Sequence, residues 1–334
     1  MRIKHLIALL TATLMVLVSF ASDAEETTYT MDPCGLRGYD ANAGWQYVVM
    51  GEYPYDKDGT PAPVLWQVLA VEDGKALLYT TYIIDAHQCT EVSGAVAENK
   101  KYPDVSDYGE TDLNRWLNET MIQNLLGQEP VLSAVTEEQY GRLYPLTDIE
   151  LMNEAYGFTN QRFYEVRSRW AYATPYALNV KLYPNYGSKL QKDRTYGTAS
   201  YWVAALKRND KTSEQIPGKR MQICAGIADP HEKGGTNIGH LSNSFLNRTS
   251  MGLRLAVRLD TSKIQVISGS GTIWDPCRLA FVTDKNAEEK EILTPSPGSA
   301  STPIPITPAP VNGRPTLAPP EAVATPVPIP DWIR

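Results

Sequence analysis

The stretch VLWQVLAVEDGKALLYTTYII, residues 64–84, decides the fold. Two apolar and aromatic runs, 64–71 and 76–84, stand on either side of the four residues EDGK. An Asp-Gly pair between two β-rich runs is the strongest short-range signal for a hairpin. The sequence therefore predicts an antiparallel hairpin, preceded by another strand-like run at 45–50.

Helical patterns follow the hairpin. Thr111 can cap a helix whose apolar residues recur at steps of three and four up to Gly127. Shorter helices are predicted to begin at Thr147, where Glu150 completes a capping box, and at Thr174. Strand-like runs then return at 199–206, 221–227, 253–259 and 264–268, with a long loop at 231–251. This order predicts a single α+β domain, residues 31–284, with a mostly antiparallel sheet and a few short helices.

The N-terminus has the pattern of a secretory signal peptide, residues 1–24. Arg2 and Lys4 precede an apolar run at 6–21, and small residues follow at a candidate cleavage site. An uncleaved anchor is the alternative, but sixteen residues are short for a span that needs about 20. We therefore expect an extracellular or cell-envelope protein with no stable membrane span after cleavage.

The C-terminus, residues 294–334, is rich in Pro and Thr. It holds 12 of the 24 prolines and only four charged residues, so it cannot bury a core. Such a segment favours extended polyproline II and predicts a disordered tail that can act as a spacer.

The formal charge of −7 argues against a nucleic-acid partner, because a protein that binds phosphates needs a basic surface.

Four cysteines remain after the leader. An even number in an exported protein favours disulfides, and four cysteines allow three pairings. We favour Cys34 with Cys277 and Cys89 with Cys224, because the outer two follow Asp-Pro turns near the two ends of the domain, and domain ends often lie close together. Four buried free thiols are the alternative.

Several motifs together resemble a domain of unknown function that is widespread in secreted and surface proteins of Gram-positive bacteria. These are GEYP at 51–54, VLWQVL at 64–69, ALL at 76–78, LNRWLN at 113–118, ATPYA at 173–177, YWV at 201–203 and GLRLAVRL at 252–259. The Trp-Leu-Asn and closing Gly-x-Arg patterns are the most specific, and the closing pattern is also similar to the last strand of C-type-lectin-like domains. The chain departs from the family at Leu255, where the family has Pro. It also departs at residues 203–205, which are Val-Ala-Ala in this chain and Leu-Arg-Ser in the family. The resemblance implies export and a binding role, with no assigned activity.

The candidate ligand-binding residues lie in two loops. Tyr183 and Tyr186 flank a Pro-Asn turn and could stack on sugars or fill a protein interface. His231 and His240 belong to the Gly-rich loop, which could form part of a ligand rim. The spacing around His231 does not place two imidazoles on one helix face, so we expect no metal and no cofactor.

These patterns favour an exported, non-enzymatic binding domain whose ligand is a surface glycan or protein. The alternative is a secreted hydrolase of carbohydrate or peptide, and a purely structural spacer is a third hypothesis. The Ser-Gly-Ser-Gly segment at 268–271 lacks the strand-to-helix elbow of a nucleophilic serine and predicts a turn. Two facing carboxylates, or a Cys or Ser beside a His, would favour the enzyme; a shallow rim of Tyr and Trp would favour binding.

Overall fold

The computed structural model describes residues 32–89, 107–163, 165–180, 190, 192–193, 197–206, 220–226, 238–245 and 251–282. The predicted signal peptide and Pro-rich tail lie outside these residues, as do the predicted ends of the domain at 31 and 284. The division of the chain into leader, domain and tail therefore stays a prediction.

Eleven strands form two sheets in the described residues. They are β1 (Gln46–Pro54), β2 (Pro61–Glu72), β3 (Lys75–Thr80), β4 (Asp85–Ala86), β5 (Tyr201–Leu206), β6 (Arg220–Cys224), β7 (Leu241–Phe245), β8 (Gly252–Leu253), β9 (Ala256–Asp260), β10 (Ile264–Ser268) and β11 (Cys277–Phe281). The first sheet has the order β10-β11-β1-β2-β3-β9, and the second has the order β4-β8-β5-β6-β7. Seven of the nine pairings are antiparallel; β1 with β11 and β5 with β8 are parallel. The predicted α+β class with a mostly antiparallel sheet is confirmed.

The predicted hairpin is strands β2 and β3. Glu72 pairs with Lys75 across the turn, and both central residues have positive φ, 51° at Asp73 and 71° at Gly74. Positive φ at both positions is the requirement of a type I′ turn, whose twist matches that of the flanking strands. The local sequence thus fixes this register.

The six-stranded sheet curls, because its two edge strands are consecutive in the chain. Only the 3₁₀ turn Thr261–Lys263 connects β9 to β10. Five strand spacings in a flat sheet would separate these edges by about 24 Å, whereas the four peptide steps from Asp260 to Ile264 span at most about 14 Å. The edges must therefore approach each other.

Two predictions for the second half of the chain need correction. Part of the predicted loop at 231–251 forms strand β7, which pairs with β6 in antiparallel register. The predicted strand at 253–259 is divided, because β8 belongs to the five-stranded sheet and β9 to the six-stranded sheet. The chain crosses from one sheet to the other at residues 254–255.

The helices are short: α1 (Asp112–Trp116), α2 (Ile122–Leu126), α3 (Glu129–Ala134) and α4 (Pro175–Asn179). The Thr111 hydroxyl accepts a hydrogen bond from the Asn114 amide and begins α1 as predicted, but a π-helical turn, Leu117–Met121, separates α1 from α2. Thr174 caps α4 in the same way. No helix in the described part of the chain has both the length and the apolar character needed to cross a membrane.

The predicted helix after Thr147 is reduced to 3₁₀ turns. Thr147 and Glu150 do form the reciprocal capping box, with the Glu150 carboxylate accepting from the Thr147 amide at 2.8 Å. The chain then forms only the turns Glu150–Met152 and Glu154–Tyr156. Gly157 in the left-handed region ends the second turn before an α-helix can develop.

Arg254 lies at the crossing between the sheets and is 2% exposed. Its Nε donates to the Thr80 carbonyl at 2.8 Å and its Nη2 to Gln67 Oε1 at 2.5 Å. Its guanidinium carbon is 4.1 Å from the centroid of the Tyr79 ring and 5.8 Å from that of Tyr201. The arginine of the closing Gly-x-Arg pattern is therefore a contact between β2 and β3 of one sheet and β5 of the other.

We predict that Arg254→Ala lowers the free energy of unfolding by about 3 kcal/mol or more, because it creates a cavity and leaves buried acceptors unpaired. Urea denaturation measures this difference. The control is Arg115→Ala, since Arg115 is an exposed residue of α1 whose ion pair with Asp112 is worth less than about 1 kcal/mol. Equal effects of the two substitutions would contradict a central role for Arg254.

Candidate functional site

Most of the predicted ligand-binding residues are not among the residues that the structure describes. Tyr183, Tyr186 and His231 lie beyond the described residues, so their proposed role stays a prediction. His240 is half-buried just before β7, where its backbone carbonyl accepts a hydrogen bond from the Ala225 amide. The sequence also favours Trp66, Trp116 and Trp202 as core residues: Trp66 and Trp202 are fully buried, but Trp116 is only half-buried against the core.

All four cysteines are buried, and neither predicted disulfide is formed in this structure. The Cys89 Sγ contacts the Met221 Sδ at 3.1 Å. Met221 and Cys224 are three residues apart on β6, so their side chains point to opposite faces of the sheet. Cys89 therefore lies on the face away from Cys224, and the two sulfurs cannot meet.

Gln46 contacts the backbone next to Cys34 and the side chain of Cys277. The Nε2 of Gln46 donates to the Cys277 Sγ at 3.4 Å and to the Gly35 carbonyl at 3.3 Å. The backbone at Cys34 lies beside β10, where the Val266 amide donates to the Cys34 carbonyl at 2.8 Å. Proximity of the backbone has not brought the two thiols together.

We predict that a peptide map of the purified protein, digested without reductant, contains neither a Cys34–Cys277 nor a Cys89–Cys224 linked peptide. The reason is the placement of Met221 and Gln46 at the two pairs. Reduction of a parallel digest provides the reference map. Detection of either linked peptide would refute the arrangement of thiols described here.

Three glutamates surround Arg258 on β9. Its Nη1 is 3.3 Å from Glu72, its Nη2 is 3.8 Å from Glu150 and its Nε is 4.0 Å from Glu138, which also pairs with Lys75 at 2.8 Å. Burial acts to raise the pKa of Glu138, but the hydrogen bond and charge of Lys75 and the charge of Arg258 outweigh it and lower the pKa. A carboxylate held ionised in this way suits an ion-pair network better than proton donation.

Within the described residues, no three His, Cys, Asp or Glu side chains are grouped so that they could hold a metal ion.

A cleft beside the β1–β2 hairpin is lined by tyrosines. Tyr53, Tyr55, Tyr82 and Thr174 border a cavity of about 20 Å³, which has room for a single water molecule and not for a sugar ring. Behind it, the Tyr53 hydroxyl donates to Asp85 Oδ2 at 2.5 Å. The tyrosine rings are 4–7% exposed, so this cleft is part of the packed interior.

Asp85 is the buried carboxyl group of this cleft. Burial raises its pKa, while hydrogen bonds from Tyr53 and the Ala86 amide and the charge of His87 act in the opposite direction. In the unfolded chain its pKa returns to the ordinary value of about 3.9. The folded state therefore keeps this proton over a pH range in which the unfolded state has lost it.

We predict that the wild-type protein becomes less stable as the pH rises from about 4 through the raised pKa of Asp85, because the unfolded chain loses the Asp85 proton more readily than the folded protein does. Asp85→Asn cannot ionise, so its stability should lack this fall. The measurement is the difference in the free energy of unfolding between the two proteins as a function of pH, in which the contributions of other carboxylates cancel. Parallel curves would show that Asp85 does not titrate in this way.

His87 and Trp116 form a half-buried stack next to β4. Their ring centroids are 4.3 Å apart, with an angle of 21° between the planes. The His87 Nδ1 is 2.7 Å from the Gln88 carbonyl, which can only accept, so Nδ1 carries a hydrogen and donates it. These contacts of the imidazole are with a carbonyl and an indole, and in the described residues they include no thiol or hydroxyl.

The most exposed aromatic side chain in the described residues lies on the loop between β10 and β11. Trp274 is 62% exposed. The loop that carries it, residues 269–276, is called the Trp274 loop below. It includes three residues of the predicted Ser-Gly-Ser-Gly turn, Gly269 to Gly271, whereas Ser268 is the last residue of β10; the chain bends at residues 271–275.

Hydrogen bonds within the Trp274 loop hold it in one conformation. Asp275 accepts from the Ser270 amide through its side chain at 2.8 Å and from the Gly271 amide through its carbonyl at 2.9 Å. The Gly271 carbonyl in turn accepts from the Tyr47 amide at 2.8 Å, which fastens the loop to β1. Gly269 and Gly271 have φ values of 90° and 75°, which favour glycine. The loop thus presents an indole on a preorganised backbone.

The sequence contained a signal for Trp274 that we did not use. The segment GTIWDPC at 271–277 places a tryptophan between a glycine turn and an Asp-Pro turn, where a core residue is out of place. A large aromatic residue inside a turn is a candidate for exposure.

Comparison with known proteins gave no match to a family model, to a curated protein or to a solved structure. The resemblance to the secreted Gram-positive domain and to C-type-lectin-like domains therefore stays a prediction.

Proposed function

We propose that this protein is an exported, non-enzymatic binding domain that holds a surface glycan or protein ligand at the Trp274 loop. The observation that carries the proposal is the exposed indole on a loop whose conformation is already fixed by hydrogen bonds. Trp is enriched among the residues that dominate binding energy, and a rigid loop loses little conformational entropy when it binds.

The chemistry of Trp274 suits either ligand. The face of an indole packs against the C–H groups of a sugar ring or against apolar side chains, and its N–H can donate a hydrogen bond. Thr272 and Asp275 are exposed beside it and supply hydroxyl and carboxylate groups for polar contacts. These groups would form the polar rim around an aromatic anchor.

The place of action rests on the leader sequence. The signal peptide predicts export, and the Pro-rich tail can serve as a spacer in an extracellular or cell-envelope setting. The ligand is then a component of the cell surface, and nucleic acid is not expected because the chain is acidic.

The hydrolase alternative receives less support. The glutamates around Arg258 are engaged in ion pairs, and Asp85 is 6% exposed behind a cavity that admits only water. Neither arrangement offers an accessible pair of acid and base to a substrate.

We predict that Trp274→Ala weakens ligand binding at least about tenfold, the cost expected for loss of an aromatic anchor, and leaves the melting temperature nearly unchanged because the side chain is exposed. Binding is measured on glycan and cell-wall arrays with the full chain. Phe163→Ala is the matched control, because Phe163 is 61% exposed and lies elsewhere in the sequence. The proposal is overturned if Trp274→Ala binds as the wild type does, or if both variants lose binding equally.

A further inference from the structure

A glutamine and a cysteine are in contact beneath the Trp274 loop. Gln46 begins β1 and Cys277 begins β11, and their side chains are 5% and 1% exposed. The Nε2 of Gln46 lies 3.4 Å from the Cys277 Sγ. The contact joins residues that are 231 positions apart in the chain.

The carboxamide of Gln46 is fixed in orientation. Its Oε1 accepts a hydrogen bond from the Arg37 amide at 2.9 Å, and its Nε2 also donates to the Gly35 carbonyl at 3.3 Å. The thiol of Cys277 is 3.8 Å from the Gly269 carbonyl, to which its hydrogen can point. The sulfur therefore turns a lone pair toward the amide group.

Glycines allow this close approach. A Cβ on Gly271 would lie 2.6 Å from the Gln46 Cγ and 3.3 Å from the Cys277 Sγ, and a Cβ on Gly269 would lie 2.9 Å from the Cys277 Cα. The contacts of 2.6 Å and 2.9 Å are too short for a real side chain. The loop thus encloses the pair with backbone alone and holds the two groups against each other.

We propose that Cys277 and Gln46 form an internal thioester. The sulfur attacks the Gln46 Cδ, the new bond is S–C, and the bond that breaks is the one between Cδ and Nε2. The thiol proton ends on the departing nitrogen, which leaves as ammonia. The reaction needs no oxidant and no other reactant.

The groups around Gln46 and Cys277 each have a role in the proposed reaction. The Arg37 amide is placed to stabilise the negative charge that develops on Oε1 during the attack. The nitrogen that must gain a proton is the atom that the sulfur touches. Because the two groups are held together in one fold, the reaction is effectively unimolecular and does not depend on protein concentration.

Burial slows this reaction. It raises the pKa of Cys277, as does the charge of Asp275, whereas the hydrogen bond from Gln46 and the charge of Arg37 lower it. Because the folded pKa is raised, the thiolate is scarce at neutral pH and increases with alkaline pH. A cross-link that forms once in the life of each chain does not require a fast step.

A thioester at this position is both a cross-link and an activated acyl group. It would tie the start of β1 to the start of β11, two strands that already pair in parallel at Val48 and Cys277. A primary amine that reaches it would form an amide with Gln46 and release the Cys277 thiol. The inference goes beyond reversible binding at Trp274 and does not depend on it.

The test is the intact mass of the purified full-length mature protein, measured after denaturation without reductant or amines. The mass should be lower than that of the sequence by one ammonia, and digestion should give a linked peptide that contains residues 46 and 277. Cys277→Ala should restore the full mass, which separates the thioester from loss of ammonia elsewhere. Cys224→Ala is the matched control and should retain the deficit.

Methylamine is the chemical probe of the acyl group. Treated protein should carry one methylamine on Gln46 and one newly alkylatable thiol at Cys277. A full mass with unmodified Gln46, even after incubation of the folded protein at alkaline pH, would overturn the proposal. So would a loss of two hydrogens with Cys277 in a disulfide. The mass and the linked peptide are read on the unaltered chain, so the proposal remains testable if the Cys277 variant does not fold.

Discussion

The structure depends on a charged group buried between its two sheets. Removing a guanidinium from water costs several kcal/mol, and contacts within the folded protein must offset that cost. Arg254 finds two hydrogen-bond acceptors, Thr80 and Gln67, and the face of the Tyr79 ring. None of the contacts described for it is with a carboxylate, and its Nη1 has no hydrogen-bond partner among the described residues. A buried charge that is held by a few directional contacts tolerates little movement, so it fixes how the sheets are placed on each other.

The position of the candidate sites follows from this constraint. Gln67 of β2 faces Tyr47 of β1 in the sheet register, so the strand that supports Arg254 also positions the start of β1. Strand β1 in turn aligns β11 beside it in parallel, which brings Gln46 against Cys277 and anchors the Trp274 loop above them. The polar core and the exposed loop are therefore linked through one central strand.

The sequence predicted features whose causes are local, and it missed those whose causes are distant. The Asp73-Gly74 turn and the Thr111 cap act over a few residues, so their geometry is readable from neighbouring letters. The parallel pairing of Val48 with Cys277 has no local signal, because a crossover of more than two hundred residues separates them. The placement of the cysteines also has a distant cause: sequence position suggested that Cys89 could meet Cys224, but β6 turns Met221, which Cys89 contacts, and Cys224 to opposite faces. The Trp274 loop lies between these cases, since its turns were predicted and the exposure of its tryptophan was not.

One short loop serves both candidate activities because its backbone amides donate hydrogen bonds to acceptors within the loop. Asp275 and Thr272 accept hydrogen bonds from the loop's amides, so the conformation of the loop does not depend on the side chain of Trp274. The glycine that fastens the loop, Gly271, is the residue whose missing side chain leaves room for Gln46 and Cys277. Rigidity on the outer side thus favours tight binding, and rigidity on the inner side favours a fixed approach of sulfur to amide. Both follow from the same hydrogen bonds, which hold the exposed Trp274 and the buried contact between Gln46 and Cys277 on one loop.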